Sequence, residues 1–319
     1  MSDIRVLSLP LRTSFRGLSS RELVLFKGSK RWAEFSPFVE YDDQESAQWL
    51  KAALSFANDE LPDLKRARVG LNATLPAVKV GEVDQVLSRF PGFRTVKIKV
   101  AENPQSFDED LARIRHVNEN YPGTKIRLDA NGALSVIGAL EMIQHLGEIA
   151  LEYFEQPVRT IAELKELKSA IGKAGLATKI AADESIRKAT DPLLAAREQA
   201  ADIAIIKVQP LGGIAAAAEI AKRSGLEVVV SSALESSIGI AQGIYLAASL
   251  ETMDFDCGLW TQNLLADDVV IEPLEVIDAS VTVAMPQIDE AKLDLYRAPK
   301  DREEFWLARI ERCLRLLQA

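Results

Sequence analysis

From about residue 69 onward, apolar residues come in short runs, each followed by a stretch with helical spacing. The runs lie at 95–100, 126–131, 151–157, 180–185, 203–210 and 228–232. Runs of this length suit strands buried on both faces, as in a parallel sheet. The helical stretches lie at 82–89, 107–121, 133–146, 161–173, 191–199, 214–223 and 237–250, and Leu111, Ile114 and Val117 form one stripe in the second. With 70–76 as a first strand and 255–260 as a last, the strands centre near 71, 97, 127, 153, 181, 205, 229 and 257. Strands separated by helices imply parallel connections, and eight is the number that closes a barrel. An open doubly wound sheet fits the alternation too, but no Gly-x-Gly-x-x-Gly follows the first strand.

The first 70 residues read differently. Residues 4–11 and 21–28 alternate as antiparallel strands around a small-residue loop at 13–20, and 32–37 reads as a third short strand. Ala47, Leu50, Leu54 and Ala57 then fall on one helical face. A meander followed by a helix is a small α+β unit, here expected to cap the barrel. After about 267, strand-like runs at 269–273 and 280–283 precede a helix at 303–317. The expected division is a capping domain at 1–70, joined by the segment 267–319, and a barrel at 71–266.

Charge falls where the pattern would not place it. Lys99, Asp129, Glu155, Asp183 and Lys207 stand at the ends of successive apolar runs, 24 to 30 residues apart. That spacing is one strand, one helix and two short loops. A carboxylate at the end of a buried strand is costly unless it is paired or bound to a metal. Taken singly, each motif has an ordinary reading: Lys-x-Lys as a solvated strand edge, Asp-x-Asn as a turn. Their occurrence in order, at barrel spacing, is what argues for one site. Strand alternation points Lys97 with Lys99 and Asp129 with Asn131. Three carboxylates between two lysines suit one hard divalent cation such as Mg2+, with a base on each side. A lysine titrates near ~10.4, so a working base needs the charge of Lys97, the cation and burial to lower it. His116 and His145 fall in expected outer helices and are given no chemical role.

Composition narrows the classes. A chain of 319 residues with 48% hydrophobic content can hold a barrel and a cap. Its net charge of −9 argues against nucleic acid and anionic membranes as partners. The two cysteines, Cys257 and Cys313, have no metal-ligand spacing and suggest no disulfide framework. No apolar run is long enough to span a bilayer, and the N-terminus lacks the pattern of a signal peptide. We expect a cytoplasmic monomer acting on a small-molecule carboxylate.

With Lys97-x-Lys99, Asp129-x-Asn131, Glu155-Gln-Pro157, Asp183-Glu-Ser185 and Lys207 in order, the chain resembles the enolase superfamily, and within it the muconate-lactonizing subgroup. The segments 32–37, 230–239 and 257–261 are similar to the dehydratase branch of that subgroup. The resemblance covers nearly the whole chain. It implies a modified TIM barrel, of the (β/α)7β type, under a small α+β cap. It implies Mg2+ on Asp129, Glu155 and Asp183. It implies Lys99 as the base that takes the α-proton and the acid that helps hydroxide leave, with Lys207 opposite, stabilising the anion. Lys97, Asn131, Ser231 and Ser232 would lie at the substrate, and the loop at 15–18 would close the mouth. The implied reaction is the aromatising dehydration of 2-succinyl-6-hydroxy-2,4-cyclohexadiene-1-carboxylate, a step of menaquinone biosynthesis. One departure stands out: Asp254-Phe-Asp256 resembles the Asp-x-Asp with which dipeptide epimerases of the subgroup hold an amino group. Dipeptide epimerisation and N-succinylamino acid racemisation therefore stay open. From other classes come a Schiff-base aldolase using Lys207 and a non-catalytic metal-binding barrel.

Overall fold

The protein's structure, a computed structural model, describes residues 1–15 and 17–318. The N-terminal unit is an antiparallel sheet of β1 (Ser2–Phe15), β2 (Leu18–Lys27) and β3 (Trp32–Phe35), followed by α1 (Asp43–Asn58). Alternation along the first two strands divides their side chains between two cores. Leu7, Leu9, Leu23 and Leu25 turn to the barrel, whereas Val6, Val24 and Phe26 pack with Trp49 and Leu50 of α1. The hairpin is longer than its sequence suggests. Phe15 pairs with Leu18, so the expected loop at 13–20 is mostly strand, and Gly17 takes a left-handed φ of 75° at the tip. Arg16, in the expected lid loop, lies outside the described residues.

The central sheet has seven parallel strands. In ring order they are β5 (Ala73–Leu75), β6 (Thr95–Lys99), β7 (Lys125–Asp129), β8 (Leu151–Glu155), β9 (Ile180–Ala182), β10 (Ile203–Lys207) and β11 (Glu227–Ser231). The eighth position is filled by two isolated parallel bridges, Leu71 to Cys257 and Ser231 to Gly258, which join both free edges. The expected eighth strand is thus reduced to a seam, and the ring closes as a (β/α)7β barrel. Helices α2 (Val83–Leu87), α3 (Phe107–Asn120), α4 (Val136–His145), α5 (Ile161–Lys173), α6 (Glu184–Arg187), α7 (Leu194–Arg197), α8 (Ile214–Ser224) and α9 (Ser237–Ser249) connect the strands. Ser106 and Thr160 form capping boxes with Glu109 and Glu163 that start α3 and α5.

Several boundaries differ from expectation for local reasons. The first strand expected at 70–76 divides in two. β4 (Arg68–Gly70) pairs antiparallel with β13 (Ser280–Thr282), and only β5 belongs to the barrel, ending where Pro76 offers no N–H. The helix expected at 191–199 shrinks to α7, because the Asp191 side chain caps a turn at Leu193 and Pro192 interrupts it. Residues 269–273 contribute only a bridge from Val270 to Ile288, and β12 (Val276–Ile277) pairs with β13 instead. After α10 (Glu290–Leu295), α11 (Lys300–Gln318) packs on α1, with Trp306 fully buried in the cap core and its Nε1 donating to Glu22 at 2.7 Å. Among the described residues no helix is long and apolar enough to cross a membrane.

Candidate active site

The C-terminal ends of β5, β6, β7, β10 and β11 open into one pocket, roofed by Phe15 and Phe38 of the cap. Lys97, Lys99, Asp129, Asn131, Lys207, Ser231 and Ser232 all line it, so the side chains singled out by strand spacing do converge. Glu155 and Asp183 are fully buried at the strand ends beside it. In a ring of eight positions β6 and β10 stand four apart, which puts Lys99 and Lys207 on opposite sides.

Register explains the contacts. Lys99 pairs with Asp129, and Asp129 with Glu155, so neighbouring strands end level. The Lys97 ammonium lies 2.9 Å from Glu155 Oε2 and 3.3 Å from Asp129 Oδ2. Lys99 donates to Asp129 Oδ2 at 2.7 Å and to Asn131 Oδ1 at 2.5 Å. Lys207 donates to Asp183 Oδ2 at 2.6 Å. The Asn131 amide continues to Glu184 at 3.2 Å, and its backbone takes a φ of 46° that turns the side chain back toward Lys99. Gln156 ties two strand ends together, accepting from the Asp183 and Ser185 N–H groups. Ser232 donates to the Gly258 carbonyl and contacts Thr261, while Gly258 leaves no room for a side chain beside Ser231.

The electrostatics follow from crowding charges in a dry place. Burial works to raise the Asp129 carboxyl, but the Lys99 and Lys97 ammoniums overcome it and hold it well below the usual carboxylate range. Burial is likewise outweighed at Asp183 by Lys207 and Arg187, leaving its pKa lowered. At Lys97 burial loses to the charges of Glu155 and Asp129, so the ammonium is held charged. Glu155 is pushed up to about 7, by burial first and by the negative charge of Asp129 next. It has a close ammonium in Lys97 alone, set against burial and the charges of Asp129 and Asp183.

That crowding bears on a cation. Among the described residues no carboxylate, histidine or cysteine trio stands in a ligating arrangement; the ammoniums hold the carboxylates instead. The donor chemistry nevertheless suits a hard divalent ion: oxygen donors only, buried, and repelling one another at Glu155. His116 and His145 are engaged elsewhere, with Asp84 and the Glu141 carbonyl, as outer-helix residues.

One residue of the site was missed from sequence. Arg187 lines the cavity and donates to Asp183 at 3.1 Å, to Tyr41 Oη of the cap at 3.1 Å and to Glu184 at 2.6 Å. Its position four residues after Asp183 was the available signal. Asp256, which the sequence singles out, stands apart from the site: its carboxylate accepts from Thr95 Oγ1 at 2.7 Å. Thr95 begins β6, so Asp256 sits at the floor of the barrel, at the opposite end of the strand from Lys99. Asp254 is exposed on the outside, beside α8 and α9.

Known proteins agree with this architecture. Residues 82–287 match the family model described as enolase C-terminal domain-like, and residues 6–57 match enolase N-terminal domain-like. The o-succinylbenzoate synthase of Mycobacterium tuberculosis strain H37Rv is 46% identical over 318 residues, covering 99% of this chain and 95% of its own length. That of Mycolicibacterium smegmatis is 45% identical, covering 99% and 97%. Among solved structures, muconate lactonizing enzyme from Pseudomonas fluorescens superposes with a TM-score of 0.78 at 21% identity, over 93% of this chain and 99% of its own. The L-Ala-D/L-Glu epimerase of Bacillus subtilis reaches 0.74 at 22%, over 90% and 98%. These last two share the fold alone. The chain belongs to the enolase superfamily, on the branch of the o-succinylbenzoate synthases.

Proposed function

We propose that the protein is a hydro-lyase that converts 2-succinyl-6-hydroxy-2,4-cyclohexadiene-1-carboxylate to 2-succinylbenzoate, in menaquinone biosynthesis. The observation that carries the reading is the pair of lysines, Lys99 and Lys207, on opposite sides of one pocket with buried carboxylates between them. Relatives that share nearly half of its residues over the full length bear the synthase name.

Asp129, Glu155 and Asp183 would hold one Mg2+, which when bound would lower the cost of negative charge building on the substrate carboxylate. Lys99 takes the proton from the carbon beside that carboxylate, and the electron pair of the broken C–H bond delocalises into the carboxylate. The same ammonium then returns a proton to the leaving hydroxyl on the same face of the ring. The C–O bond breaks, water departs and the ring becomes aromatic. Lys207 faces the other side of the ring as a fixed positive charge. Lys97, tied to two carboxylates, keeps a second positive charge close to Lys99. Asn131 orients the Lys99 amine, and Ser231 and Ser232 bound the substrate on the β11 side. Phe15, with its ring 5.5 Å from the Lys99 ammonium, and Phe38 keep bulk water out. We assign 1–70 with 267–319 to the cap and 71–266 to the barrel, and expect a monomer working in the cytoplasm.

The test is direct. Loss of the cyclohexadiene absorbance is followed with Mg2+ and with EDTA, for the wild type and for Lys99→Ala. Rapid metal-dependent loss, absent in the variant although it remains folded, is expected. Near-normal turnover in Lys99→Ala would sink the assignment.

A further inference from the structure

We propose that a buried ion pair on the outer helix α3, Asp110 with Arg113, is a positioning device for Lys99. It holds the main chain at the end of β6, and so the reach of the lysine into the cavity. The inference rests on Lys99 being the acid–base group.

The main chain at this point lacks a neighbour. β5 ends at Leu75, which pairs with Ile98, so β6 runs one residue beyond it. The Val100 N–H donates to the Asp129 carbonyl on β7. Successive residues of a strand present their polar groups to opposite sides, so the Lys99 carbonyl faces the side that β5 has vacated. A buried carbonyl needs a partner. Arg113 supplies it, donating from Nη2 to the Lys99 carbonyl at 2.9 Å. Its Nη1 donates to the Val78 carbonyl at 3.2 Å and to Gln105 Oε1 at 2.6 Å. Val78 lies just past the end of β5, so one guanidinium replaces the missing rungs between the two chain ends.

The partner carboxylate works on the next turn of chain. Ala101 holds a φ of 58°, a conformation that residues with a side chain rarely adopt. Its N–H donates to Asp110 Oδ2 at 2.7 Å, while Asp110 Oδ1 accepts from Arg113 Nη2. The two charges thus grip the chain on both sides of Val100, at the catalytic lysine itself and two residues beyond it. The capping box at Ser106 and Glu109 fixes the helix turn from which they reach.

Stability alone gives a weak reason for this arrangement. Asp110 is 1% exposed and Arg113 0%, and buried pairs can often be replaced by apolar residues of similar volume without loss of stability. An apolar pair cannot direct donors at two particular carbonyls. Arg113 is absent from the cavity wall, so it touches no substrate and acts through Lys99. The lysine it places must meet a C–H bond in line, and misplacement by about 1 Å can cost on the order of 100-fold in rate.

The experiment uses the full chain with Mg2+. The wild type is assayed first, and its turnover settles the dehydratase reading independently of any variant here. The double variant Asp110→Leu/Arg113→Met removes both charges together, leaving no unpaired one to unfold the barrel. Expected is a folded protein with a lower thermal midpoint, because the Lys99 and Val78 carbonyls and the Ala101 N–H lose their partners, with kcat per folded molecule lower by about 10- to 100-fold and KM changed less than about threefold. The isotope effect with substrate deuterated at the α-carbon should rise, because proton abstraction becomes more limiting. Arg113→Lys, which keeps the charge but not the fork, should recover part of the rate. A folded double variant with the kcat, KM and isotope effect of the wild type would overturn the proposal. So would a loss of kcat that only tracks the unfolded fraction.

Discussion

The seam between cap and barrel makes stability depend on pH through a pair of buried carboxyl groups, of which Glu235 is the clearer. Glu235 follows the serine-rich end of β11 and is 4% exposed. It shares its surroundings with Glu34 of β3, which accepts from Ser36 Oγ at 2.6 Å and from the Ser236 N–H at 3.1 Å. Gly239 makes the packing possible: a methyl group there would stand 2.7 Å from Glu235 Cβ and 2.8 Å from Glu34 Cδ. Burial, and then the Glu34 charge, push the Glu235 carboxyl up from 4.5 to about 8, against the weaker opposing pull of Arg21 and Lys207. A carboxyl whose folded pKa is raised binds its proton more tightly in the folded state. Its contribution is therefore complete below the unfolded value and is lost as pH rises through the folded one. Each pH unit across that window removes up to about 1.4 kcal/mol, or about 3 kcal/mol between pH 5 and pH 8. Glu235→Gln imitates the protonated form at every pH. Urea denaturation of both proteins should give similar free energies near pH 5. Their curves should then diverge, the variant becoming the more stable by about 3 kcal/mol at pH 8. The comparison cancels titrating groups that do not act on Glu235; Glu34 is not among them, because the two carboxyls repel each other. Curves that stay parallel from pH 5 to pH 8 would refute the reasoning.

Two further substitutions separate chemistry from support. Asp256→Asn keeps an acceptor for Thr95 at the barrel floor, so kcat and KM should stay within about twofold while stability falls by about 1 kcal/mol; a tenfold fall in kcat in the folded variant would return Asp256 to the site. Tyr41→Phe removes the cap's hydrogen bond to the buried Arg187, leaving a guanidinium N–H with only Glu45 at 3.7 Å, and should cost about 1–3 kcal/mol. Because Arg187 also holds Asp183, kcat should fall as well, and an unchanged kcat alongside the stability loss would confine Tyr41 to docking the cap.

The sequence made the ring of charges legible because each charge interrupts an apolar run, and runs of one kind recur at one spacing. Lys97, Lys99, Asp129 and Lys207 needed only strand alternation to be placed at the cavity. Residues acting across long sequence distances left no such trace. Phe15 and Phe38 reach the cavity only because the cap folds back on the barrel. Arg187 and Tyr41 meet over 146 positions. Asp110 and Arg113 were hidden in another way. They share the buried face of α3 with Leu111, Ile114 and Val117, where a pattern that sorts residues into apolar and polar reads charge as solvent exposure. Their meaning lies in two main-chain carbonyls that no sequence pattern records. The short β4 was misread for a similar reason: its partner, β13, comes some 200 residues later, beyond any local periodicity.

The position of Asp256 shows why a motif on a barrel strand has to be assigned an end before it is assigned a reaction. A parallel barrel has two faces, and chemistry gathers at the C-terminal one, where the strands give way to loops. Asp-x-Asp near the last strand is compatible with epimerisation only if its second carboxylate rises to that face. Here the seam residues fix the height. Cys257 bridges Leu71 and Gly258 bridges Ser231, so Gly258, not Asp256, stands level with the end of β11 and lines the cavity. Asp256, two residues lower, reaches Thr95 at the start of β6, and its backbone carbonyl accepts from Arg127. Gly70 is a glycine because that carboxylate fills the space where a side chain would stand. At the catalytic face a bare glycine backbone thus occupies the place from which an epimerase would present an anion to a substrate amino group. The substrate that suits such a wall carries its charge as carboxylate, toward the lysines, and nothing cationic toward β11.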